Sequence, residues 1–163
     1  MGIELSMWQI TVLQLEKLLS SGDAVENFID SRFAETLNED DEGLYLDKMW
    51  HLLHYLITGD EEGEEYPLAY AIMVGYPLNE SGEDTSFLPP DIVKDVAEGL
   101  STLSEADMRK LCDPDVTPHP EIYKYPFPIH EEDIDEAIEY LKQLREYYQH
   151  ASDNGNAMLR FFY

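Results

Sequence analysis

The two ends of the chain carry strand patterns, and most of what lies between them is written in helical periods. Ile3, Leu5 and Met7 alternate with Glu4, Ser6 and Trp8, and at the far end Ala157, Leu159, Phe161 and Tyr163 alternate in the same way. A period of two puts one set on a single face, so each end reads as a half-buried strand. Strands separated by several helices, rather than alternating with them, favour α+β over a doubly wound α/β sheet. The expectation is one helix-dominated domain over residues 1–163. Its small sheet joins the N-terminal and C-terminal strands. Residues 67–78 fit a short helical turn or a buried strand, central in the chain, equally well.

The helices announce themselves by caps and stripes. Thr11 precedes Val12, Leu15, Leu18 and Leu19, which share one helical face. The Ser-Ser-Gly run at 20–22 stops that helix. A second starts at Asp23, with Glu26 completing a capping-box pattern and Val25, Phe28, Ile29, Phe33 and Leu37 as its stripe. Leu46, Met49, Trp50, Leu53, Leu56 and Ile57 mark a third, capped at or just before Asp47 and ended by Gly59. Pro89-Pro90 opens a fourth on Ile92, Val93, Val96 and Leu100. Ser104 begins a short fifth that packs Met108, Leu111 and Cys112. The proline-rich stretch 113–128 reads as an extended, ordered loop. Residues 131–151 make the longest helix, on the stripe Ile134, Ala137, Ile138, Leu141, Leu144 and Tyr148. Its acidic first turns suit the positive end of the helix dipole.

Charge then limits function. The chain has 35 acidic and 10 basic residues, a formal net charge of −25. Such a surface repels phosphate backbones, so no nucleic-acid partner of the basic-patch kind is expected. Nearly half of the acids fall in four clusters, at 39–42, 60–65, 80–84 and 131–136. The longest charge-free run, 66–79, is broken by Pro67, Gly75 and Pro77 and is too short to span a bilayer. Glu4 stands where a signal peptide would carry a base. These features predict a cytoplasmic protein with no membrane contact.

Candidate chemistry is sparse. Asp47, His51 and His54, at spacings of four and three, lie on one side of the third helix, a donor set that a metal could share. Asp47 is accounted for as a cap and His51 as a solvent-facing polar residue, and no further ligand suggests itself, so no metal is expected. The acidic runs 39–42 and 60–65 lack the spaced Asp-x-Asp-x-Asp-Gly pattern of a calcium loop and read as solvated charge. Cys112, the single cysteine, stands beside Asp113 and Asp115, whose charges oppose thiolate formation, and reads as core. There is no Gly-x-Ser-x-Gly elbow and no phosphate-cradling or dinucleotide-binding glycine loop. No cofactor is expected, and the sequence leans away from an enzyme.

The run from Leu46 through Asp47, Lys48, Trp50, Leu53, His54 and Leu56 to Thr58-Gly59 resembles the signature of the YfbM-like family of uncharacterised bacterial proteins, domain of unknown function 1877. Further matches follow in order: Pro67-Leu68, Leu88-Pro89-Pro90, Glu121-Ile122-Tyr123 and the run Gly155 to Leu159. Where the family pattern has Pro after Ile-Tyr, this chain has Lys124. The resemblance covers nearly the whole chain. It implies a small α+β protein without an assigned activity, and it singles out Asp47, Lys48, Trp50 and His54 where the motif is densest, with His51 on a variable position.

Two functions compete. The leading one is a non-enzymatic, strongly acidic domain that binds a basic protein partner, by charge attraction that salt would weaken. The alternative is a small-ligand-binding protein or enzyme with a pocket around Trp50, His54 and Tyr123, in which Asp47 and Lys48 take part and His54 exchanges protons. A simpler view makes Trp50 a core anchor and His54 a buried, hydrogen-bonded residue.

Overall fold

The computed structural model describes residues 2–35, 43–78 and 84–163. Leu37 of the second stripe, the acidic run 39–42 and most of the run 80–84 lie outside the described residues. In chain order the elements are β1 (Leu5–Ile10), α1 (Val12–Ser20), α2 (Gly22–Glu35), β2 (Leu44–Asp47), α3 (Trp50–Thr58), a 3-10 turn (Leu68–Ala71), β3 (Tyr76–Pro77), β4 (Thr85–Leu88), α4 (Pro90–Ser101), α5 (Glu105–Leu111), α6 (Glu131–Asp153) and β5 (Ala157–Phe162). The strands form one antiparallel sheet in the order β2-β1-β5-β4-β3. This is the expected α+β domain. The two terminal strands pair over six residues at its centre, from Leu5 opposite Phe162 to Ile10 opposite Ala157.

The sheet carries a core on each face, and here the half-buried reading of the end strands fails. Leu5, Met7 and Met158 face a large core with Leu53, Leu56, Val93, Val96, Ile138, Leu141 and Tyr148 from α3, α4 and α6. Trp8, Ile10, Ala157 and Leu159 face a second core made with Leu15, Leu18, Val25 and Ile29 of α1 and α2. Trp8, grouped with the polar residues by simple alternation, is almost fully buried. Helices on both sides of a central strand remove its wet face, and alternation then no longer sorts apolar from polar.

Local signals placed most helices well. The Thr11 hydroxyl accepts from the Gln14 N–H while the Gln14 side chain accepts from the Thr11 N–H, a reciprocal cap for α1. Ser104 caps α5 through the Asp107 N–H. The whole predicted stripe of α6 is buried. Val12 and Leu19, however, are exposed, and only Leu15 and Leu18 of that stripe are buried. The start of α3 is also corrected. Leu46 belongs to β2, the helix begins at Trp50, and its cap position is Met49 without a side-chain bond. Asp47 ends β2 at a positive φ of 47° and accepts a hydrogen bond from the Tyr140 hydroxyl at 3.2 Å. Residues 67–78 hold the short helical turn, as the 3-10 turn, and in place of a buried strand the exposed two-residue edge strand β3. No helix among the described residues is long and apolar enough to cross a membrane.

Candidate functional site: an acidic cavity on a pinned frame

The site grows out of the last turns of α3. Gly59 closes that helix in the left-handed region, its N–H bonded to the Tyr55 carbonyl at 2.7 Å, and the chain turns into the acidic run. Three α3 side chains then hold the main chain of this loop. The Thr58 hydroxyl donates to the Asp60 carbonyl (2.7 Å), His51 Nε2 to the Glu61 carbonyl (2.9 Å) and His54 Nε2 to the Gly63 carbonyl (2.9 Å). A carbonyl can only accept, so each imidazole carries its proton on Nε2. Gly63 sits so close that a Cβ there would lie 2.7 Å from Thr58 Oγ1.

With the loop's carbonyls held in this way, the Asp60 carboxylate accepts from the Glu62 N–H at 2.9 Å, and the side chains of Glu62, Glu64 and Glu65 are left exposed. Asp60, Glu62, Glu64 and Glu65 are exposed and line a cavity of about 830 Å³ with Thr58, Gly63, Met73 and Val74. Glu61 turns the other way, half-buried, and its carboxylate accepts from the Glu121 N–H at 3.4 Å. The solvated-run reading therefore holds for Glu62, Glu64 and Glu65, while the carboxylates of Asp60 and Glu61 bond main-chain N–H groups.

The opposite wall is fixed by a residue that sequence reasoning missed. Arg160 of β5 is fully buried. Its Nη1 donates to the carbonyls of Tyr70 (2.8 Å) and Ile72 (2.9 Å), and its Nη2 to the Val74 carbonyl (2.6 Å) and Ser86 Oγ (3.1 Å). Gly75 leaves room for it: a Cβ there would lie 1.9 Å from Nη2. Burial pulls the Arg160 guanidinium below its ordinary range, with the neighbouring Tyr148 opposing that shift. A lone Arg between Leu159 and Phe161 was the only trace of this in the sequence, and alternation would have sent it to solvent.

The residues singled out by motif divide between two places. Trp50 and Tyr123 do come together, with ring centroids 5.7 Å apart, and Phe162 meets Trp50 edge-on at 5.2 Å. Their polar atoms are taken up by the first strand's approach: Trp50 Nε1 donates to the Ile3 carbonyl (2.9 Å), and the Tyr123 hydroxyl accepts from the Ile3 N–H (2.8 Å). Lys48 pairs with Glu4 at 3.5 Å. A fourth ring, His51, stacks on Trp50 at 5.1 Å, and its Nδ1 accepts from the Tyr123 N–H at 3.0 Å. His51, His119, Glu121, Tyr123 and Phe127 line a shallow groove of about 560 Å³. His54 is absent from that groove. It is sealed in the core beneath the acidic loop, with Nδ1 buried and unpartnered, and burial lowers its pKa from 6.5.

Asp47, bonded to Tyr140, does not join the two histidines, whose Nε2 atoms are spent on carbonyls. Among the described residues no three His, Cys, Asp or Glu side chains are placed to hold a metal. Cys112 is buried, and burial pushes its thiol up to about 11, with Glu131 adding to the shift and Arg109 opposing it. The carboxylates expected to act on it, Asp113 and Asp115, are not the cause.

A family model for DUF1877, a domain of unknown function, matches residues 1–161. Among solved structures, the crystal structure of YfbM from Escherichia coli, a protein of unknown function, superposes with a TM-score of 0.72 at 16% identity, covering 98% of this chain and 99% of that one. At that identity the likeness speaks for the fold. No curated protein matches the sequence.

Proposed function

We propose that this chain, which belongs to the DUF1877 family of domains of unknown function, is a non-enzymatic binding domain that takes a basic protein partner at its acidic cavity. The observation that carries this reading is the division of labour around the cavity. Asp60, Glu62, Glu64 and Glu65 line it while the backbone behind them is bonded to Thr58, His51 and His54. Carboxylates on a fixed frame lose little conformational freedom when a cation arrives, so more of the attraction survives as affinity. The net charge of −25 adds long-range steering toward a basic surface.

The test uses a defined cationic probe, fluorescein-labelled nona-lysine. Replacing Glu62, Glu64 and Glu65 by Gln is expected to weaken its binding about tenfold at about 0.05 M salt. Replacing three exposed acids elsewhere, Glu16, Glu26 and Asp30, by their amides serves as the control of equal charge. Equal weakening by both sets, or no binding by the native chain, would overturn the reading.

A further inference from the structure

Beside the acidic cavity stands an aromatic patch that the cavity alone does not explain. Tyr66 follows Glu65 in the chain and is 51% exposed, Tyr76 is 45% exposed, and Met73, which lines the cavity, is 39% exposed. Large apolar side chains left this open in one neighbourhood mark a contact surface more often than chance exposure. Interface centres favour tyrosine, methionine and arginine.

The Tyr66 ring is exposed yet not free. It meets Tyr70 in a T-shaped pair at a centroid distance of 5.1 Å and 79° between planes, and its hydroxyl donates a hydrogen bond to Asp95 of α4. That bond, followed by desolvation and then the charges of Asp95 and Asp91, pushes the phenol up to about 12. Tyr76 stands close enough to contribute to the same shift, and its own ring packs on Phe87 at 5.8 Å. Rings oriented before a partner arrives offer their faces at small entropic cost. The patch is bordered on one side by the cavity carboxylates and on the other by Asp91 and Asp95, and Lys94 is the single base of α4.

Charge complementarity and ring chemistry together select the occupant. A lysine ammonium would satisfy the carboxylates but has no plane to lay on a ring. A guanidinium stacks on an aromatic face and directs its N–H fork to carboxylates in the same plane. We infer that the patch of Tyr66, Met73 and Tyr76 is the docking surface for an arginine-bearing segment of the basic protein partner, the tyrosines reading guanidinium and the flanking carboxylates supplying attraction. This rests on the basic-partner reading above and makes a narrower claim, namely arginine in preference to lysine.

Nona-arginine and nona-lysine, equal in charge and length, separate the two claims. The native chain is expected to bind nona-arginine about threefold or more tighter than nona-lysine at about 0.15 M salt. Tyr66→Leu with Tyr76→Leu keeps the apolar surface and the net charge but removes the phenol rings, and is expected to erase the preference while leaving nona-lysine binding unchanged. Both positions are half open to solvent, and a melting curve confirms that the double variant is folded. In the native chain, the ring proton resonances of Tyr66 and Tyr76 should move on addition of nona-arginine and stay in place with nona-lysine. Equal affinity for the two peptides, or a preference that persists in the double variant, overturns the arginine assignment and leaves the basic-partner reading standing. Binding of neither peptide overturns both.

Discussion

Two long irregular segments meet on α3, and they are fastened in opposite ways. Residues 59–65 are held largely by their main chain, through carbonyls bonded to Thr58, His51 and His54. Residues 113–128 are held largely by their side chains: Ile122 is buried, Tyr125 and Phe127 pack on the large core, and the Tyr123 hydroxyl takes the Ile3 N–H. A segment anchored by its backbone can spend its side chains on a partner. One anchored by its side chains has spent them on the fold. That difference is why the acidic cavity, rather than the groove beside Tyr123, carries the functional reading.

The heaviest blow to the acidic side should come from its far wall. Arg160→Met leaves the carbonyls of Tyr70, Ile72 and Val74 without their donor, and, with the cost of burying the guanidinium recovered, a net loss of about 3 kcal/mol is expected in urea unfolding. Nona-lysine binding should fall with it, because the wall at Met73 and Val74 loses its support. On the other segment, Ile122→Ala should cost about 2 kcal/mol while leaving peptide affinity unchanged. A comparable loss of peptide binding there would break the contrast between the two segments.

Acidity gives a gentler test of the main-chain anchors. Burial lowers the His54 pKa in the folded state, so below 6.5 the unfolded chain takes up a proton that the folded chain refuses. The His54 contribution to stability is therefore complete above pH 6.5 and declines as pH falls below it. Unfolding measured from pH 7.5 downward should show this slope, and His54→Gln should flatten it; a slope unchanged in the variant would remove His54 as its source. The smallest effect belongs to the free carboxylates. Glu62→Gln with Glu64→Gln should change stability by less than about 0.5 kcal/mol, because the loop is not held by these side chains. A larger loss would mean that the acids belong to the frame after all.

How much of this could be read in advance depended on how local each signal was. The Thr11 and Ser104 caps, the Pro89-Pro90 entry to α4 and the α6 stripe are properties of a few neighbouring residues, and they were legible. The strands β2 and β4 are four residues each, too short for alternation to register, and the apolar residues of β2 run into the pattern of α3. Trp8 and Arg160 defeated the reading for a tertiary reason: each lies on a strand with helices over both faces. For the site, sequence located the acidic run at 60–65 and the motif around Trp50. It placed His51 in solvent, whereas that ring joins the Glu61 carbonyl to the Tyr123 N–H. Such a bridge depends on a contact 72 positions away along the chain, which no local spacing encodes.

The pairing of the two terminal strands has a consequence for how the molecule comes into being. During synthesis β1 emerges well before its central neighbour β5, which is made only after α6, so until then one long edge of β1 stays unsatisfied. Until β5 arrives neither core can close, since Met158 completes one and Leu159 the other. Residues 5–10 are thus exposed to chaperones and to stray strand pairing until β5 is made, and the arrival of β5 locks both layers in a single event.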